Sequence, residues 1–199
     1  KDGLNYTFRE SADCFGKVLK FKKNCVNNFQ EATLIKLNDE HGNVHRYPIN
    51  TYLKLLGMFL SDGCIDKNAI VIAAQRQRKI DYINNLAEEL GKTFTYNHNL
   101  GNLRFKIGKT CLPGIYEEFK RLNVGASNKY LPNYVWRLGK ENCLAMLDGL
   151  INGDGSTSNR GLKTYTSVSI RLINDFQRLL LHCELTGNIM FKSKKANKM

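Results

Sequence analysis

No apolar run in this 199-residue chain approaches the roughly 20 residues that a membrane-spanning helix needs. Lys1 to Glu10 is polar and lacks the apolar stretch of a secretory signal. None of the six cysteines (Cys14, Cys25, Cys64, Cys111, Cys143, Cys183) stands in the two-residue spacing of a zinc knuckle, and the four histidines do not gather beside them. Zinc is therefore not expected, and the thiols are expected reduced, several as small core residues. Acidic side chains are short, with eighteen Asp and Glu against thirty Lys and Arg. A place inside the cell, in cytoplasm, nucleus or organelle, is the expectation.

What is present is a chain able to fold and basic enough to seek a polyanion. Hydrophobic residues make up 42% of it and charged ones an ordinary 24%. The net charge of +12 is spread along the chain, with a dense cluster at Lys192, Lys194, Lys195 and Lys198. Nucleic acid is the commonest partner of such a surface; a basic surface that binds nothing is the plain alternative.

Four stretches follow one another. Residues 1–49 read as a small, mostly β extension, with apolar or alternating runs at Phe15 to Phe21, Ala32 to Leu37 and Val44 to Ile49, and a turn at Asp39 to Asn43. From residue 50 the pattern turns helical. Asn50 or Thr51 is placed to cap a helix through Leu60. A hairpin turning at Asp66 to Asn68, an amphipathic helix from Arg78 to Leu90, a hairpin across Asn99 to Gly101 and a helix from Pro113 to Leu122 complete a unit over 50–126. Residues 127–139 read as a linker. In 140–199 the programme restarts: a helix to Asn152, a hairpin from Ser156 to Ser167, a helix from Ile170 to Cys183, and a strand over Asn188 to Lys192. This is an internal two-fold repeat.

The two leading helices align as Leu55-Leu56-Gly57-Met58-Phe59-Leu60-Ser61-Asp62-Gly63 and Leu147-Asp148-Gly149-Leu150-Ile151-Asn152-Gly153-Asp154-Gly155. Each has a glycine six residues ahead of a terminal glycine and an aspartate just before it. Gly57 and Gly149 let two helices approach backbone to backbone. Such packing brings Asp62 and Asp154 together, and adjacent carboxylates favour either a raised pKa or a bound cation. Oxygen ligands with open positions suit Mg²⁺ or Mn²⁺, which retains waters and bridges to phosphate. An Asp-Gly after one apolar helix is usually only a stop and a turn; two copies in register, each before a hairpin, argue against that reading.

These segments resemble the two signature helices of monomeric LAGLIDADG homing endonucleases, over about Asn50 to Lys192. Tyr130 to Trp136 and Tyr165-Thr166-Ser167 resemble segments of the intein-borne branch. The resemblance implies an α+β fold of two pseudo-symmetric αββαββα units, whose antiparallel sheets form a saddle over double-stranded DNA. It implies that Asp62 and Asp154, with the adjoining Ser61 and Gly153, form a divalent-metal site. It further implies a monomer that cuts both strands at a long site, leaving short 3′ overhangs. Gln75 matches a residue that orders water and Lys79 a nearby basic position; Lys109, or alternatively Lys106, falls where a basic residue assists.

Reading of DNA falls to the saddle strands. In the first unit Gln75, Arg76, Gln77, Arg78, Asn97, Asn99, Arg104 and Lys106 are the candidates; in the second, Arg160, Lys163, Tyr165, Ser167 and Lys192. Helix capping or plain solvation is the alternative for each. The second unit departs from the pattern, since one strand of its second hairpin and the closing helix are not found after Asp154. An exposed sheet edge and a half-covered core are expected there. A nucleic-acid binder without cleavage, such as an RNA maturase, a DNA-binding regulator or a degenerate nuclease, is the rival to the endonuclease. Both acidic residues being present favours cutting.

Overall fold

The computed structural model describes residues 11–14, 26–99 and 102–191. After one helical turn, α1 (Ser11–Cys14), come an antiparallel hairpin of β1 (Leu34–Asn38) and β2 (Val44–Pro48) and then the long helix α2 (Ile49–Asp62). The expected strand at Phe15 to Phe21 lies outside the described residues. The turn joining β1 to β2 closes on Asp39, whose carboxylate accepts from the amides of His41 and Asn43 and from the Asn43 and His45 side chains.

Helix α2 begins at Ile49, behind Pro48, and neither Asn50 nor Thr51 caps it. Both side chains are used elsewhere: Asn50 accepts from Asn142 at 2.7 Å, and Thr51 donates to Glu89 at 2.6 Å. Tertiary partners therefore outbid the local cap. The helix then fills the centre of the molecule, with Tyr52, Leu53, Leu55, Leu56 and Met58 wholly buried. A run apolar on every face requires partners on every face.

The first unit supplies one set of partners. Strands β3 (Gly63–Asp66), β4 (Ala69–Ala73), β5 (Thr95–Asn99) and β6 (Asn102–Gly108) form an antiparallel sheet in the order β3-β4-β6-β5. Helix α3 (Gln77–Glu89) follows β4, and Gly91, at φ +62°, turns the chain out of it. Helix α4 (Pro113–Leu122) starts with proline in its first turn. Its Phe119 stacks on Phe59 of α2 with ring centroids 4.4 Å apart. The expected αββαββα order is thus complete in this unit.

The second unit supplies the other partner. Two 3-10 turns (Ala126–Asn128 and Asn133–Arg137) lead to helix α5 (Lys140–Asp154), then β7 (Gly155–Thr157), β8 (Lys163–Tyr165) and α6 (Ile170–His182). The N-terminal end of α5 is capped from afar: Glu31 accepts from the amides of Glu141 and Asn142. Both signature helices run through their aspartates, so α5 is longer than its expected end at Asn152. The strand expected over Asn188 to Lys192 does not form within the described residues. Met190 and Phe191 stand 82% and 86% exposed there, and among the described residues no strand takes their hydrogen bonds. The β7–β8 sheet has two strands where the first unit has four.

Helices α2 and α5 cross at the expected glycines. A Cβ on Gly57 would stand 2.5 Å from the Leu150 amide nitrogen, and one on Gly149 would run into the Lys54 carbonyl oxygen. Gly153 is pressed in the same way against the side chain of Ser61.

Candidate nucleic-acid interface and acidic cleft

Because α2 and α5 pack side by side and end level, Asp62 and Asp154 line one open cleft of about 390 Å³. The first unit gives its wall Ala73, Gln75, Arg76 and Lys79; the second gives Gly153, Gly155 and Ser156. Lys79, in the first turn of α3, forms an ion pair with Asp62. Burial, and then the neighbouring Asp62, push the Asp154 carboxyl above the usual carboxylate range, against the pull of Lys79 and Lys129. Two neighbouring carboxylates whose repulsion the lysines offset only in part are the oxygen donors in this cleft that could hold a hard divalent cation, which would complete its shell with water and phosphate.

Lys129 was not among the residues expected at the site. It lies in the stretch between the units, where hydrophobic periodicity marks nothing. Its ammonium donates to the Ser61 carbonyl at 2.8 Å, and its own carbonyl accepts from Ser169 at 2.7 Å. Burial lowers its pKa, while Asp154 and Asp62 oppose that shift. A desolvated ammonium is thereby held beside both acidic residues.

The outer face of the four-stranded sheet continues from the cleft. Leu103, Phe105 and Ile107 of β6 point into the core, so Arg104 and Lys106 point out. Register sets Arg104 between Ala73 and Asn97, and Lys106 between Val71 and Thr95. Asn97, Arg104 and Lys106 therefore share one face, reached through Ala73 from Asp62. Asn99 pairs with Asn102 at the end of the same hairpin. Arg160 and Lys163 are exposed on the β7–β8 hairpin.

Other expected residues are engaged elsewhere. Lys109 pairs with Glu40 in the β1–β2 turn and stands over the Tyr116 ring, and it is not brought to the cleft. Arg78 reaches across the two units to donate to the Gly155 carbonyl at 2.8 Å, and Gln77 donates to Asp81 within α3. Tyr165 turns inward: its ring stacks on Phe176 at 4.5 Å and its hydroxyl is buried. Ser167 accepts from the Ser169 amide ahead of α6, which Ser169 caps. The Ser61 carbonyl is taken by Lys129, and its hydroxyl lies 3.5 Å from the Leu150 carbonyl. Of the two aspartate-adjoining residues expected at a metal, Ser61 and Gly153, only Gly153 borders the cleft. Lys192 lies outside the described residues.

Residues 141–198 match the family model of the LAGLIDADG-like domain, a stretch that holds nearly all of α5 and the second helix-end motif. Over 97% of its length it is 28% identical to a Chlamydomonas moewusii protein named ATP-dependent Clp protease proteolytic subunit, of which it covers 21%. Over 64% of its length it is 25% identical to the DNA-directed RNA polymerase subunit beta C-terminal section of Stigeoclonium helveticum, covering 14% of that protein. The chain spans about a fifth or less of the length of these curated relatives. A solved structure, the N-terminal LAGLIDADG domain of DUF199/WhiA, is 14% identical with a TM-score of 0.46, covering 66% of this chain and 64% of that one. Among the described residues no helix is long and apolar enough to cross a membrane.

Proposed function

We propose that this chain is a site-specific endonuclease of double-stranded DNA that hydrolyses phosphodiester bonds with Mg²⁺ or Mn²⁺ and leaves short 3′ overhangs. The observation that carries the proposal is the meeting of Asp62 and Asp154 in one cleft at the edge of a basic sheet face. A protein that only binds DNA gains nothing from two facing carboxylates, which repel the phosphates it must hold.

In this reading Arg104, Lys106 and Arg76 take phosphate oxygens and set the duplex along the sheet, while Asn97 faces base edges. Gln75, at the cleft wall, holds water toward phosphorus. Lys79 pairs with Asp62 and orients it, and Lys129 places a second, poorly hydrated positive charge where negative charge gathers on the phosphate. Asp62 and Asp154 are the residues that would hold the cation. When bound, that cation supplies acidification of water and stabilisation of the leaving oxygen.

We further propose that the chain works as a single copy, its internal repeat replacing a dimer, and that it is an inserted, intein-like element. Two relatives with unlike names each share with it a segment that is a small part of their length. A segment common to otherwise unlike proteins is what a mobile insertion leaves behind.

The test is a supercoiled plasmid pool with randomised inserts, incubated with the purified chain and Mg²⁺, and sequenced at every new end. Recurrent ends with 3′ overhangs at one sequence are expected, and an Asp62→Asn variant should bind that sequence without producing them. Tight binding by the unaltered chain with no ends would establish the rival reading, a silent nucleic-acid-binding relative.

A further inference from the structure

Helix α3 rests on two surfaces at once. Its Ile83, Leu86 and Ala87 are buried in the core of the first unit. On a neighbouring face Arg78 and Tyr82, one turn apart, reach across to the second unit. Arg78 donates to the Gly155 carbonyl at 2.8 Å, and the Tyr82 hydroxyl donates to Oδ2 of Asp148 at 2.7 Å.

Both acceptors are themselves held in place. The Asn152 side chain donates to Oδ1 and to the carbonyl of Asp148, each at 3.0 Å, which leaves Oδ2 to the tyrosine. Gly155 closes the C-terminal end of α5, where a cation is favoured, and pairs with Tyr165 in the β7–β8 sheet. Burial, and then Asp148, hold the Tyr82 hydroxyl well above the ordinary tyrosine range, so it stays a donor. Along the chain, Asp148 and Gly155 stand on either side of Asp154, and Arg78 and Tyr82 on either side of Lys79, the partner of Asp62. The crossing at Gly57 and Gly149 fixes α2 against α5; these two contacts fix α3 against α5.

We propose that Arg78 and Tyr82 are positioning residues, two struts that hold the first turns of α3, and with them Lys79, against the acidic end of the second unit. The inference rests on the nuclease reading. It takes Arg78 out of the set that meets DNA, although Arg76 and Gln77 stand beside it in sequence. The two roles differ in what they change. Moving a group in the site by about 1 Å slows a reaction by about 100-fold, whereas losing a phosphate contact weakens binding and flattens its salt dependence.

The sequence recovered from the plasmid pool serves as substrate, with cutting followed in single turnover with Mg²⁺ and binding measured in EDTA over a range of salt. Tyr82→Phe and Arg78→Met should each slow cutting by at least about tenfold and leave affinity and salt slope unchanged. Arg104→Met should instead lower the salt slope by about one. Arg78→Lys, which still reaches the carbonyl, and Asp148→Asn, which keeps an acceptor for the tyrosine, should each cut faster than Arg78→Met and Asp148→Ala. Tyr82→Phe combined with Asp148→Ala should be no slower than the slower of the two alone. A readout without cutting is competitive acylation of lysines in metal-free buffer: Lys79 should become more reactive in Tyr82→Phe and Arg78→Met, while Lys140, paired with Glu184, stays the same. Unslowed cutting by both variants, or a fall in salt slope with Arg78→Met, would overturn the struts and leave the nuclease standing. Unchanged labelling of Lys79 would overturn the struts whether or not the chain cuts, and no ends from the unaltered chain would overturn the nuclease reading.

Discussion

Gly57 and Gly149 meet where α2 crosses α5, so closely that a methyl group on Gly57 would stand 2.6 Å from the Gly149 carbonyl carbon. The crossing is made of main chain on both sides, with no flexible side chain able to yield. Everything proposed for the cleft depends on this contact, because it sets the ends of the two helices, and hence the two aspartates, side by side.

Alanine at either crossing glycine should accordingly be costly. Gly57→Ala or Gly149→Ala is expected to lower stability by at least about 3 kcal/mol, the upper end for overpacking, because backbone must shift. Gly108→Ala is the control: the nearest heavy atom to an added Cβ is the Thr110 hydroxyl at 4.0 Å. Denaturant unfolding of the three variants should separate them clearly.

The two acidic residues should respond oppositely to neutralisation in metal-free buffer. Asp62→Asn leaves the half-buried Lys79 ammonium without its partner, and a loss of about 1–2 kcal/mol is expected, below the figure for a fully buried pair. Asp154→Asn removes a carboxylate that burial and Asp62 disfavour, so its melting temperature should rise. Paired thermal melts in EDTA check this, and a stabilised Asp62→Asn would contradict the ion pair.

The cap that Glu31 places on α5 comes from more than a hundred positions away, at 2.8 Å and 3.0 Å from two helix amides. Glu31→Ala should cost about 1 kcal/mol, as lost N-terminal caps do, and Glu31→Gln less. Amide exchange at Glu141 and Asn142 should quicken in the alanine variant while exchange in α3 stays the same.

The β1–β2 hairpin should loosen in acid. The His45 and Asn43 side chains, with the amides of the turn, hold the Asp39 carboxyl well below the ordinary carboxylate range. In the unfolded chain it regains its ordinary value and takes up a proton first as pH falls. The unfolded state then binds more protons, so this contribution is fully present above the ordinary value and fades below it. Amide protection over 34–48, taken relative to the intrinsic exchange rate at each pH, should fall between pH 5 and pH 3, and Asp39→Asn should flatten that fall.

Much of the fold could be read along the chain because the forces concerned are local. The hairpin turn at Asp66 to Asn68, the stop at Gly91 and the proline start of α4 are each made by a few neighbouring residues. The inward and outward alternation that sets Arg104 and Lys106 on one face follows from the strand period alone. The terminal strand after Gly187 was misread for the complementary reason: Ile189, Met190 and Phe191 form an apolar run, but a strand exists only where another takes its hydrogen bonds.

What the sequence determined by itself is the pair of helix ends with their glycines and aspartates, since a repeated steric and chemical pattern survives without knowledge of contacts. Which long side chains join them was decided only by tertiary structure. Lys129 reaches Ser61 across 68 positions, Arg78 reaches Gly155 across 77, and Lys109 is drawn to Glu40 across 69. Long flexible cations settle wherever the folded chain sets an acceptor, and no local period records that choice. The repeat copies the carboxylates into both units, while packing alone decides where Lys79 and Lys129 settle beside them.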